Sequence, residues 1–206
     1  MAKRTRSSKA WMMQHVNDPY VRRAQVDGMR SRAAYKLMQI NDKDKLLKPG
    51  MLVVDLGAAP GGWSQVAGRL VAPAGCVIAI DLLEMTGLPG VEIIQGDFSG
   101  AAGLAQLERA LAGATADLVL SDMAPNISGI ATADQSRLMG LAELALAFAA
   151  RHLKPQGSFL VKVFHGAGFE DYVKTMRGVF AQVLTRKPDA SRKGSREVYL
   201  LGRGLK

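Results

Sequence analysis

A lysine stands in the middle of an otherwise apolar run, Phe159-Leu-Val-Lys162-Val-Phe164. An unpaired ammonium in a nonpolar environment is costly, so this position needs a reason. A snorkelling side chain on an edge strand would supply one, but the run is expected to be an interior strand. Two other stretches set a single charge amid Ser, Arg and Tyr: Ser31-Arg-Ala-Ala-Tyr-Lys36-Leu37 and Ser191-Arg-Lys-Gly-Ser-Arg-Glu197-Val-Tyr199. Four aspartates, Asp55, Asp81, Asp97 and Asp122, each follow a short apolar run. One such aspartate would read as a helix cap in a strand-to-helix loop. Four at corresponding strand ends would line one crevice with carboxylates, because ligands of parallel sheets bind outside the carboxyl ends of the strands.

The segment Val53-Val-Asp-Leu-Gly-Ala-Ala-Pro-Gly-Gly-Trp63-Ser64 reads as a strand, a tight turn and the start of a helix. Gly57, Gly61 and Gly62 would let backbone approach a ligand where a Cβ would clash; the competing reading keeps these glycines for packing alone. The spacing is not that of a dinucleotide loop, and Asp55 would repel a pyrophosphate laid on the following helix. A cationic nucleoside suits that carboxylate, and S-adenosylmethionine is the expected cofactor. Asp81 is expected to accept from the ribose hydroxyls and Asp97 from the adenine amino group. Phe98 would pack on the ring, and Trp63 would close over the ligand.

The elements that must position these residues alternate along the chain. Strands are expected at 51–56, 76–80, 91–94, 117–121, 158–164, 179–184 and 198–201. Helices are expected at 31–44, where Ser31 would be the N-cap, and at 101–112, 134–153 and 168–177. Repeated strand–helix units predict a single α/β domain with a doubly wound, mostly parallel seven-stranded sheet. A chain of 206 residues that is 48% hydrophobic can bury one such core. The lone cysteine, Cys76, excludes an internal disulfide and suits a reducing cytoplasm. His15, His152 and His165 lack metal-ligand spacing, so no metal site is expected. The apolar runs Ala10–Met13 and Leu141–Ala150 are too short for a signal peptide and a membrane span respectively.

The net charge of +9 sits at the ends. Residues 1–36 carry nine Lys/Arg against two Asp, and residues 186–206 carry seven against two acids, leaving the middle slightly acidic. Two basic ends on such a body favour a polyanion, with nucleic acid preferred over membrane. The expected phosphate contacts are Lys3, Arg4, Arg6, Lys9, Arg22, Arg23, Arg30, Arg32, Arg192, Lys193 and Arg196. Residues 1–30 read as a basic N-terminal extension.

Taken together, these motifs resemble the FtsJ-type (FtsJ/RrmJ, or RlmE) ribose 2′-O-methyltransferases, and above all the bacterial enzymes acting on large-subunit (23S) ribosomal RNA. The matching segments are His15 to Tyr20, Arg30 to Leu37, Asp55 to Ser64, Gln95-Gly-Asp-Phe98, Ser121 to Asn126, Val161 to Phe164 and Ser191 to Tyr199. His165 departs from the family pattern, which has glutamine there. The resemblance implies a Rossmann-like class I methyltransferase domain over residues 31–206. It also implies a catalytic tetrad of Lys36, Asp122, Lys162 and Glu197, with cofactor contacts from Gly61, Trp63, Asp81, Asp97 and Asp122. The implied partner is ribosomal RNA, within the ribosomal subunit, met by a cytoplasmic monomer.

The chemistry fits these residues. A ribose 2′-hydroxyl attacking a sulfonium methyl in line needs a positioned acceptor and a proton sink. Lys162 is the expected general base, since an apolar strand, a second lysine and the sulfonium all favour its neutral form. Lys36 would be that second cation and orient the hydroxyl, Asp122 would hold Lys162, and Glu197 would position Lys36. The competing classes are transfer-RNA or cap-directed relatives, a non-catalytic RNA-binding assembly factor, and a nicotinamide-dependent dehydrogenase.

Overall fold

The computed structural model describes residues 18–125, 128–192 and 194–206. Its sheet has seven strands: β1 (Leu52–Leu56), β2 (Cys76–Asp81), β3 (Val91–Gln95), β4 (Ala116–Ser121), β5 (Leu153–Phe164), β6 (Phe180–Arg186) and β7 (Glu197–Leu205). Six helices are described: α1 (Pro19–Val26), α2 (Ala33–Asp44), α3 (Gly62–Val71), α4 (Ala101–Leu111), α5 (Ala131–His152) and α6 (Phe169–Val179). The strand order is β3-β2-β1-β4-β5-β7-β6, with β7 antiparallel to both neighbours and the other pairings parallel. This is the doubly wound, mostly parallel sheet expected from the alternation of elements. The order turns back between β1 and β4, which opens a crevice at their carboxyl ends.

Alternation along each strand divides the core in two. Val54, Leu56, Ile78, Ile80, Val119, Phe159, Val161, Val163, Val198 and Leu200 pack with α4, α5 and α6. Val53, Val77, Leu118, Leu120, Leu160, Tyr199 and Leu201 pack with α2 and α3. The same parity carries Asp55, Asp81, Asp122, Lys162 and Glu197 to the α2/α3 face. The period-2 pattern thus collects on one side the polar side chains that the sequence singles out.

Helix α1 was not expected. Its start signal is present in the sequence, since Asp18 caps it by accepting from the Tyr20 amide and Pro19 opens it. Ala24 and the ring of Tyr35, on α2, are buried together with Ala190. Helix α2 begins two residues after the expected cap: no side chain caps it, and Ser31 Oγ is buried without a partner. The two basic ends converge. Arg32 pairs with Asp18 at 2.7 Å and donates to the Ala190 carbonyl, while Arg192 lies 3.9 Å from Asp18. Arg186 grips Asp44 at the end of α2 through two 2.6 Å contacts.

Candidate active site

Antiparallel pairing of β7 with β5 sets Tyr199 opposite Lys162 and Glu197 opposite Phe164. From these positions a continuous polar chain runs across the carboxyl edge of the sheet. Ser191 Oγ donates to Glu197 Oε1 at 2.9 Å, and Lys36 Nζ meets the same oxygen at 2.7 Å. Lys36 also donates to the Tyr199 hydroxyl, which in turn donates to Asp122 Oδ1, both at 3.0 Å. Lys162 Nζ lies 3.1 Å from Asp122 Oδ1 and donates to the Asp122 carbonyl at 2.6 Å. The Lys162 side chain is only 8% exposed. Two ammoniums, two carboxylates and a neutral phenol form a charge-balanced cluster, the condition under which ions can be held away from water.

Burial alone would raise the Asp122 pKa. The ammoniums of Lys162 and Lys36, with hydrogen bonds from Lys162 and Tyr199, outweigh burial and hold this carboxyl below its ordinary range. Burial, reinforced by the Asp122 and Glu197 charges, pushes the Tyr199 phenol well above its ordinary value, so it stays a donor. Tyr199 was given no role from the sequence. Its signal was available: it lies two residues beyond Glu197 in a strand, and so on the same face.

Asp122 also lines a cleft of about 900 Å³ together with Gly57, Asp81, Asp97, Phe98 and Met123. Asp81 is anchored at both oxygens, accepting from the amides of Ala59 (2.9 Å) and Leu83 (2.8 Å). Asp97 Oδ1 accepts from the side chain and amide of Ser99, and these bonds lower its pKa. Phe98 packs edge-on against Phe148 on the cleft wall. An acidic, half-apolar cleft of this size suits a cationic nucleoside. The donor set therefore matches the cofactor expected from the sequence.

Several expected site residues stand elsewhere. Trp63 does not cover the cleft: its indole is buried, donates to the Ala33 carbonyl at 2.8 Å and leans on Tyr199. Parity explains this, because the first turn of α3 lies over the α2 face. Asp55 is wholly buried beneath that turn, where Oδ2 accepts from Ser64 at 2.6 Å and Oδ1 has no partner. Burial, with help from the nearby Asp122 and Asp81 charges, raises its pKa to about 7. The glycines are required chiefly by the protein's own packing. A Cβ at Gly57 would fall 2.4 Å from Met123 Cγ, and one at Gly62 would fall 2.3 Å from Ser31 Oγ.

Part of the expected phosphate surface is likewise committed to structure. Arg30 donates to Thr86 Oγ1 at 2.8 Å and to the carbonyls of Gly87 (2.7 Å) and Pro60, stapling two loops beside the cleft. Arg32 and Arg192 hold Asp18, as described. Arg23 makes an exposed pair with Asp27 and lies over the Tyr35 ring at 4.9 Å, and Arg196 is exposed. Lys3, Arg4, Arg6, Lys9 and Lys193 lie outside the described residues.

The profile of the family described as FtsJ-like methyltransferase matches residues 29–205. The chain belongs to the FtsJ-like methyltransferases. Among curated relatives of this FtsJ-like methyltransferase, the protein named ribosomal RNA large subunit methyltransferase E from Azoarcus sp. (strain BH72) is 60% identical over 204 residues. That match covers 99% of this chain and 100% of the relative. The protein of that name from Thiobacillus denitrificans is 61% identical, over 98% of this chain and 91% of its own length. Among solved structures, a Plasmodium falciparum protein described as a ribosomal RNA methyltransferase superposes with a TM-score of 0.77 at 29% identity. It covers 85% of this chain and 98% of its own. A Clostridium thermocellum structure, with a TM-score of 0.57 at 17% identity over 82% of this chain and 97% of its own, shares the Rossmann-like fold. Among the described residues of this FtsJ-like methyltransferase, no helix is long and apolar enough to cross a membrane, and no group of three His, Cys, Asp or Glu could hold a metal ion.

Proposed function

We propose that this FtsJ-like methyltransferase transfers a methyl group from S-adenosylmethionine to a ribose 2′-hydroxyl, on a uridine, in large-subunit ribosomal RNA. The observation that carries the reading is the position of Asp122, which belongs at once to the acidic cleft and to the Lys36–Tyr199–Asp122–Lys162 chain. The names of the relatives support the choice of RNA. Such an enzyme works in the cytoplasm, as a monomer, on RNA within the ribosomal subunit.

Asp81 and Asp97 would hold the ribose and adenine of the cofactor, and Asp122 would stand by its reacting end. Bound there, S-adenosylmethionine supplies an electrophilic methyl on a sulfonium. Among the described residues Lys162 is held by Asp122, through one side-chain and one main-chain contact, which leaves part of its nitrogen for an incoming hydroxyl. As the neutral amine it would take the proton of the 2′-hydroxyl, whose oxygen would accept the methyl as the methyl–sulfur bond breaks and the cofactor leaves as the neutral thioether. Lys36, fixed between Glu197 and Tyr199, orients the attacking ribose. Asp122 keeps the amine in place.

Replacing Lys162 by Ala should abolish methyl transfer while leaving calorimetric S-adenosylmethionine binding intact. The assay is tritiated-methyl incorporation into undermethylated large ribosomal subunits. If incorporation survives, Lys162 is not the base. The parallel titration with NADH should show no binding.

A further inference from the structure

The cleft contains a cation that a cationic cofactor does not need. Arg137, on α5, is exposed and lines the same cleft as Asp122, Met123, Ala124 and Pro125. Among the described residues its guanidinium makes no hydrogen bond and no ion pair, and the charge it senses is that of Asp134. That carboxylate is already occupied: Oδ1 accepts from the amide and hydroxyl of Ser128, and Oδ2 accepts from the Gly129 amide. Arg30, Arg32 and Arg186, by contrast, are tied into loops, carbonyls or buried carboxylates.

The base of Arg137 is firmly set. Asp134, three residues earlier and on the same helix face, ties α5 to the segment that follows β4. Gln135 Nε2 donates to the carbonyls of Phe164 (3.2 Å) and Ala167 (3.1 Å), tying the same turn to the end of β5 two residues beyond Lys162. The two catalytic strand ends and the platform of Arg137 thus form one unit. A guanidinium so placed opposes the positive charge of the donor unless it serves an anion. The substrate brings such anions in its backbone, at the mouth where the 2′-hydroxyl must enter.

Resting on the function proposed above, we infer that Arg137 grips an RNA phosphodiester next to the target ribose and is a substrate-positioning residue. It would act as part of the phosphate surface in place of the basic residues spent on structure. A planar fork suits a phosphate oxygen pair, and a lysine would keep the charge but lose the second contact.

Arg137→Ala and Arg137→Lys test this with undermethylated large subunits as substrate. The Ala variant should bind S-adenosylmethionine as the wild type does and keep most of its kcat, while KM for the subunits rises about tenfold. Its log(kcat/KM) should fall with log[salt] less steeply than that of the wild type, by about 0.7–0.9 in slope, and Lys should restore that slope. A weakened cofactor affinity with an unchanged salt slope would mean that Arg137 holds the cofactor carboxylate and would overturn the inference. So would variants indistinguishable from an active wild type. A wild type that transfers no methyl to the subunits would instead overturn the function on which the inference rests.

Discussion

Asp55 offers a quantitative test of how the first strand meets the cleft. Its carboxyl is wholly buried and its pKa is raised from 3.8 to about 7. The raised value means that folding favours the protonated form. Between the unfolded and folded pKa values the native state binds the extra proton, so stability falls as pH rises and levels off above about 7. The shift of about 3 units corresponds to a penalty of about 4 kcal/mol when complete, of which about 2.5 kcal/mol accrues between pH 5 and pH 8. Asp55→Asn removes the ionisation and keeps an oxygen for the Ser64 hydroxyl. Its new amide group falls where Oδ1 has no partner, at a cost of about 1–3 kcal/mol that does not depend on pH.

About 1.5 kcal/mol of the penalty has already accrued at pH 5, so the variant should stand within about 1.5 kcal/mol of the wild type there and should gain on it steadily as pH rises. Urea unfolding of both proteins at pH 5, 6, 7 and 8 measures this, and other titrating groups cancel in the difference. The stability difference should move by about 2.5 kcal/mol in favour of Asn across that range. Parallel pH profiles would refute the reasoning, because Asp55 would then ionise as freely in the folded protein as in the unfolded one.

Tyr199→Phe removes the hydroxyl that joins Lys36 to Asp122, leaving two buried charges each short of a partner. It should lower stability by about 1–3 kcal/mol in urea unfolding, with kcat reduced and S-adenosylmethionine affinity unchanged; full kcat would show that the phenol is a bystander. Gly57→Ala puts a Cβ at a φ of +74° and 2.4 Å from Met123 Cγ. It should cost about 1–3 kcal/mol, read as a lowered melting temperature, and an unchanged melting point would show that the loop yields freely. With a lysine as base, single-turnover methyl transfer should rise with pH, and a flat profile would count against proton abstraction by Lys162.

The sheet, its strand count and its crevice were legible because parallel strands announce themselves as short apolar runs ending in polar turns. Lys162 was legible for the same reason in reverse, a charge where the run should be apolar. What the sequence hid was orientation around each backbone position. Trp63 looks like a lid in a line of text, but the first turn of α3 points it into the core against Tyr199. Arg30 and Arg32 count as free charge in a composition, while their partners Thr86, Gly87, Asp18 and Ala190 lie up to 158 positions away. Only tertiary contact tells a phosphate grip from an internal staple.

The site also depends on one departure from the parallel plan. In a parallel sheet every strand presents its carboxyl end to the crevice, so a residue opening a strand faces the opposite edge. Glu197 opens β7 and Tyr199 follows two residues on. Run parallel, with its carboxyl end level with that of β5, a nine-residue strand would leave Glu197 roughly 20 Å and Tyr199 roughly 13 Å along the sheet from Lys162. Reversing β7 brings its amino end against the carboxyl end of β5, in the register that pairs Tyr199 with Lys162 and Glu197 with Phe164. Parity then turns Glu197 and Tyr199 to the face covered by α2, where Lys36 reaches both at 2.7 and 3.0 Å. The antiparallel strand is therefore the element that couples Lys36 to Asp122. A change that shifted its register by one residue would turn Tyr199 and Glu197 to the other face and undo the site, even with each of the four charged residues still in place.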